Sequence, residues 1–220
     1  EPTTVWVAFD RDNIYIAARL FDSEPDKITG RLGRRDETTE SDLFDVGLDP
    51  YHDRRSGYYF GINPSGSIED GTLANDEEFD ATWDGVWESA ARIDGLGWTV
   101  EMRIPFDQLR FKRRDVHLWG INFQRLVKRK NEESHFAWVP KEESGLVSNF
   151  AGLTGLAGIA AGRRLEISPF GLTQAKLYPE EAPEHVADAQ EPTVQLEFLG
   201  LNSGRVRYRG QVARAWESTA

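Results

Sequence analysis

The chain has 220 residues, enough for one sandwich-sized domain with an appendage, and its 39% apolar content supports a packed core. Thirty-seven acidic residues against 26 basic ones give a net charge of −11, which argues against a nucleic-acid partner, because neutralising phosphates requires a basic surface. There are no cysteines, so a disulfide framework and a thiolate metal site are both ruled out.

In chain order, "TVWVAFDRDNIYIAARLFD" reads as two strands around an Asp-Asn turn, the second with Ile14, Ile16, Ala18 and Leu20 on one face. Glu1 reads as the start of a mature or trimmed fragment. "SDLFDVGLDPYHDRRSGYYFGINPSG" repeats the pattern, with a strand over 42–49, a polar turn, a strand over 57–63 and a stop at Asn63-Pro64. The acidic stretch "SIEDGTLANDEEFDATWD" reads as a loop. It gathers Asp70, Asp76 and Asp80 with other carboxylates, and hard cations take several oxygen ligands, so these three are the candidate calcium ligands. Their spacing is not that of the helix-loop-helix calcium motif.

Residues 86–104 read as a hairpin around "DGLG", with Trp98, Val100, Met102 and Ile104 on one face and Thr99, Glu101 and Arg103 on the other. Trp98 is therefore core, as tryptophans with this alternation usually are. A short turn follows at 105–110. "VHLWGINFQRLV" is a further strand, with Trp119, Ile121, Phe123 and Val127 on one side and Asn122 and Gln124 on the other. The basic run after it, Arg125, Lys128, Arg129 and Lys130, reads as a solvated strand end. "FAGLTGLAGIAAG" at 150–162 is too short to span a bilayer as a helix. His52, His117, His135 and His185 lack metal-ligand spacing, which argues against zinc. Short strands separated by Gly, Pro, Asn and Asp predict an all-β, antiparallel β-sandwich over 1–158.

The ordered set "TTVWVAFDRDNIYIAARLFDSEPDKI", "SDLFDVGLDP", "GYYFGINPSG", "WDGVWESAARIDGLGWTVEMRIPFDQLRF", "WGINFQRLVKRKNEESHFAWVP" and "FAGLTGL" resembles the family 9 carbohydrate-binding module. It is most similar to the form at the N-terminus of a bacterial family in which the module precedes a predicted outer-membrane β-barrel. The resemblance covers 1–158 and implies a β-sandwich that binds polysaccharide or its fragments in polysaccharide breakdown. It also implies an extracytoplasmic setting, structural calcium and a covalent barrel domain. Family members carry another strand or two before "TVWVAFD", so the sandwich is expected to be truncated at its N-terminus.

The resemblance places Gln124 on a sugar-bonding position. The stretches that match the family's two clamping tryptophans, "RDETTE" and "KEESGLVS", hold no aromatic residue. The expected sugar site is therefore the polar sheet face of Asn63, Asn122 and Gln124, with Trp87 or Arg103 at its margin supplying apolar contact. Two rival readings stand beside it. A glycoside hydrolase would use a carboxylate pair about 5 to 10 Å apart, drawn from Glu88, Glu101, Asp42 and Asp45 on adjacent predicted strands, with Glu88 and Glu101 as the candidate catalytic residues. A non-catalytic periplasmic or surface portion of a barrel protein would need no site at all. Beyond the sandwich, 159–178 reads as a trailing strand similar to a first barrel strand, 179–195 as a Pro- and Glu-rich linker, and 196–220 as a tail of no assigned type.

Overall fold

The structure is a computed structural model that describes residues 1–37, 40–139 and 145–159, together with the backbone of 194–199 and 205–210. The strands are β1 (Thr3–Phe9), β2 (Asn13–Phe21), β3 (Leu43–Asp49), β4 (Gly57–Ile62), β5 (Ile68–Ala74), β6 (Glu78–Asp80), β7 (Glu88–Asp94), β8 (Gly97–Pro105), β9 (Val116–Val127), β10 (Glu132–His135) and β11 (Ala151–Ala157). A separate hairpin, β12 (Val194–Leu199) with β13 (Arg205–Gly210), belongs to a second unit that begins at Leu165. β12 starts inside the span expected to be linker. Of the barrel-like strand expected over 159–178, all but Ile159 lies outside the described residues.

Two antiparallel sheets form the sandwich, β1-β2-β8-β7 and β10-β9-β3-β4-β5-β6. β11 joins the second by pairing with the first half of β9, while β10 pairs with its last residues. The alternation read from the sequence decides what lies between them. Ile14, Ile16, Ala18 and Leu20 from β2, with Trp98, Val100, Met102 and Ile104 from β8, meet Phe44, Phe60, Trp119, Ile121 and Phe123 from the other sheet in one buried cluster. Trp98 and Trp119 are both 0% exposed. Aromatic rings fill the rest of the gap edge to face: Phe106 lies 5.7 Å from Trp119, and Phe60 5.3 Å from Trp87.

Two features depart from the sequence reading. The acidic stretch expected to be a loop is the hairpin of β5 and β6, turned by Asn75 and Asp76, both at positive φ. Its alternation is hidden because the buried Asp70 and the outward Leu73 occupy each other's customary sides. Arg125, expected on a solvated strand end, is only 3% exposed in its side chain. Its guanidinium donates to the Phe21 carbonyl at 2.8 Å, the Pro2 carbonyl at 3.1 Å and Thr3 Oγ1 at 3.0 Å, tying β9 to the opposite sheet. Beside it, Arg129 grips Asp22 through both carboxylate oxygens at 2.7 and 2.6 Å. Burial alone would raise the Asp22 carboxyl, but the Arg129 hydrogen bonds and charge outweigh it and hold that group below its ordinary range.

This clamp generates a stability prediction. Arg125→Met should leave the Phe21 and Pro2 carbonyls without their buried donor and destabilise the fold by about 3 kcal/mol, read as a lower denaturant midpoint. An unchanged midpoint would show that the sheets are held together without the clamp.

Candidate functional site

Because Phe44, Val46 and Leu48 of β3 and Tyr58, Phe60 and Ile62 of β4 point into the core, Asp45, Gly47, Tyr59 and Gly61 face away from it. On that outer face the strand register sets His135, Gln124, Asp45, Gly61 and Glu69 side by side across β10, β9, β3, β4 and β5. Adjacent strands lie about 4.8 Å apart, so the result is a polar row interrupted only by Gly61. That glycine lets two acids meet. A Cβ at Gly61 would stand 2.2 Å from Asp45 Oδ1 and 2.6 Å from Glu69 Cγ, so both side chains lean over the bare backbone into hydrogen-bonding contact.

The next row carries the apolar surface. The Phe150 ring covers Gly47, where a Cβ would lie 2.4 Å from ring carbon Cζ. Tyr59 meets Phe79 edge to face at 5.3 Å, and Phe79 is 62% exposed. Together the two rows line a groove of about 300 Å³, within the size range of small-molecule sites.

Three acids, Asp36, Asp45 and Glu69, line the groove. Burial pushes the Asp45 carboxyl well above its usual range, reinforced by the charge and hydrogen bond of Glu69 and the charge of Glu133. Glu69 is raised by burial and by Asp36, against the opposing hydrogen bond from Asp45. Burial, with the charges of Glu69, Asp36, Asp70 and Asp45, pushes the Tyr59 hydroxyl up to about 12. No lysine or arginine lines the groove among the described residues. Two carboxyl groups in contact can hold a proton or a cation between their oxygens. A glycosidase pair stands about 5 to 10 Å apart to admit a sugar carbon or a water.

Of the expected sugar-site residues, the structure brings only Asn122 and Gln124 to the groove. Gln124 donates to Glu133 at 2.9 Å, and His135 meets the same Glu133 oxygen at 2.9 Å. Asn122 is 3% exposed and its amide ties down the next segment: Nδ2 donates to the Ala137 carbonyl and Oδ1 accepts from the Ala137 and Phe123 amides. Asn63 is corrected to a turn clasp, since its Oδ1 accepts from the Ser65 and Ser67 amides and its Nδ2 donates to the Arg31 carbonyl. Trp87 is corrected to core, where its ring meets Phe60. Arg103 lies on β8 in the other sheet, 2.5 Å from Glu88. Glu88 and Glu101 face outward on that same sheet, apart from the groove.

The expected calcium ligands do not converge. Asp76 accepts from the Leu146 and Ser148 amides at 3.1 and 2.7 Å, and Asp80 from Thr82. Asp70 instead meets Asp36 and Asp84, the three offering oxygens within 4.8 Å of one another. Arg35 already stands among them, with Nε 2.8 Å from Asp70, 3.6 Å from Asp36 and 3.3 Å from Asp84. A guanidinium there supplies the positive charge, and calcium takes six to eight oxygen ligands. The cluster as it stands does not fit that ion.

In the sequence Asp45 reads only as a hydrolase candidate and Glu69 only as part of an acidic loop. The alternation of "LFDVGL" signals that Asp45 faces away from the core. Glu69 needs β5 to be recognised first, and Phe79 needs β6.

The raised carboxyls fix a pH dependence. An acid whose folded pKa exceeds its unfolded value supports the fold fully below the unfolded pKa, about 4 for these groups. That support is lost as pH rises through the folded pKa. Thermal stability should therefore decline above about pH 4, and Asp45→Asn, whose amide can donate to Glu69, should flatten the decline. A steeper decline in the variant would contradict the pairing.

No family model matches the sequence, and no curated protein matches it. Among solved structures, a protein from Bacteroides uniformis described as a candidate carbohydrate-binding protein superposes with a TM-score of 0.58 at 14% identity, over 69% of this chain and 77% of that one. A family 9 carbohydrate-binding module from Caldicellulosiruptor kristjanssonii superposes in two structures with a TM-score of 0.51 at 16% identity. The cellotriose complex is matched over 77% of this chain and 83% of that one, and the glucose complex over 76% and 80%. The fold of this chain is an antiparallel β-sandwich like that of family 9 modules.

Proposed function

We propose that the chain is a carbohydrate-binding module that holds a sugar in the groove on the outer face of the seven-stranded sheet and does not cleave it. The row His135, Gln124, Asp45 and Glu69 beside Phe79 and Phe150 carries this reading. Sugars present hydroxyls around their rim and C–H groups on their faces. A site for them needs polar groups fixed in a row and an apolar plate next to it, and this face provides both. Gln124 uses one amide hydrogen on Glu133 and has capacity for further bonds. Phe79, exposed at the groove margin, takes the stacking role expected of Trp87 or Arg103. The likeness of the fold to structures solved with cellotriose and glucose supports the same reading. Attachment to polysaccharide outside the cytoplasm, alongside its breakdown, belongs to the proposal, as does a barrel domain in the same polypeptide.

Titration calorimetry against soluble glycans, with reducing-sugar release followed in parallel, tests it. Heat without release is expected. Gln124→Ala should weaken binding about three- to a hundredfold, and Phe79→Ala about two- to tenfold. Both should leave the thermal transition nearly unchanged, because neither side chain belongs to the core. Unaltered affinity in both variants would move the site elsewhere. Sustained release lost in Glu88→Gln or Glu101→Gln would make the protein a hydrolase, and neither heat nor release would leave a structural role.

A further inference from the structure

The buried carboxylates of this protein are otherwise provided with donors. Asp22 has Arg129, Asp70 has Arg35 and the Gly85 amide, Asp49 has the Asp53 and Arg54 amides, and Asp42 has the Lys128 amide on one of its two oxygens. Asp45, half-buried, has no such donor on either oxygen among the described residues. Its Oδ1 is buried without a donor, and its neighbour across Gly61 is another carboxyl group, Glu69. Glu133 on β10 and Asp36 in the loop before β3 add negative charge, and the Arg35 guanidinium is engaged with Asp70, Asp36 and Asp84.

We propose that the groove selects a sugar bearing an ammonium group, a 2-amino-2-deoxyhexose unit, with the ammonium seated between Asp45 and Glu69 and the ring against Phe79 and Phe150. The inference rests on the carbohydrate-binding reading above and specifies its ligand. A neutral hydroxyl gives one hydrogen to one acceptor and brings no charge to the pair. An ammonium has three donors and a positive charge, and charge-assisted hydrogen bonds are about twice as strong as neutral ones. An inorganic divalent cation suits the place less well. Calcium needs six to eight oxygens, whereas beside the Asp45 and Glu69 carboxyls the lining includes the rings of Phe79 and Phe150 and the Leu73 side chain.

The test is titration calorimetry on the intact chain with a β-linked glucosamine trimer, its N-acetylated counterpart, cellotriose and calcium chloride. The glucosamine trimer should bind at least about tenfold more tightly than the other two sugars. The preference should shrink as salt rises and disappear in Asp45→Asn and in Glu69→Gln, with thermal melts confirming that each variant is folded. If one variant fails to fold, the other carries the comparison. Equal or tighter binding of cellotriose would overturn the inference and leave the carbohydrate-binding reading intact. Calcium binding that is lost in the same variants would overturn it in favour of a metal site. Absence of binding by any sugar would sink both readings.

Discussion

Everything in the groove depends on the antiparallel register that aligns Gln124, Asp45, Gly61 and Glu69 across four strands. Side chains alternate strictly along a strand, so a one-residue slip of β3 would send Asp45 into the core and Phe44 into solvent. The buried faces forbid that slip: Phe44 and Phe60 are 0% exposed and meet a core built from both sheets. Apolar packing on one face thus holds the polar row on the other. The site is the reverse side of the core.

The outer face is shaped as much by what it lacks as by what it carries. With any side chain at Gly61, Asp45 and Glu69 could not meet. A side chain at Gly47 would displace Phe150 and open the wall. Contact between these two half-buried acids opposes folding when both are ionised, since neither desolvation nor mutual repulsion is offset. Elsewhere the molecule offsets such charges directly. Arg129 answers Asp22, and Arg35 answers Asp70. Local strain of charge at one groove, with neutralisation elsewhere, is the pattern expected where a ligand or a proton completes the set.

The sandwich was legible in the sequence because its strands keep period two with large apolar residues inward. The hairpin around "DGLG", the β9 strand and the burial of Trp98, Ile104, Trp119, Ile121 and Phe123 all follow from that pattern. The site was half legible. Gln124 sits on the polar side of β9 as expected, but Asn122 and Asn63 share its polarity for another reason, holding the backbone of Ala137 and of the 63–67 turn. Whether an amide serves a ligand or a turn depends on neighbours far along the chain. β5 is hard to read from the sequence because its buried core-facing residue is an aspartate, Asp70, whose partner Arg35 is 35 positions away. Arg103 was misplaced because alternation assigns a face but not a sheet, and Trp87 because, just before β7, it turns inward against Phe60.

Amide chemical-shift mapping with cellotriose and with a glucosamine trimer is the most direct measurement of where a sugar sits. Binding at the groove predicts the largest shifts at Gly61, Gln124, Glu69 and Phe79, with Arg103, Glu88 and Glu101 on the opposite sheet unmoved. Shifts confined to that opposite sheet would contradict the assignment of the groove.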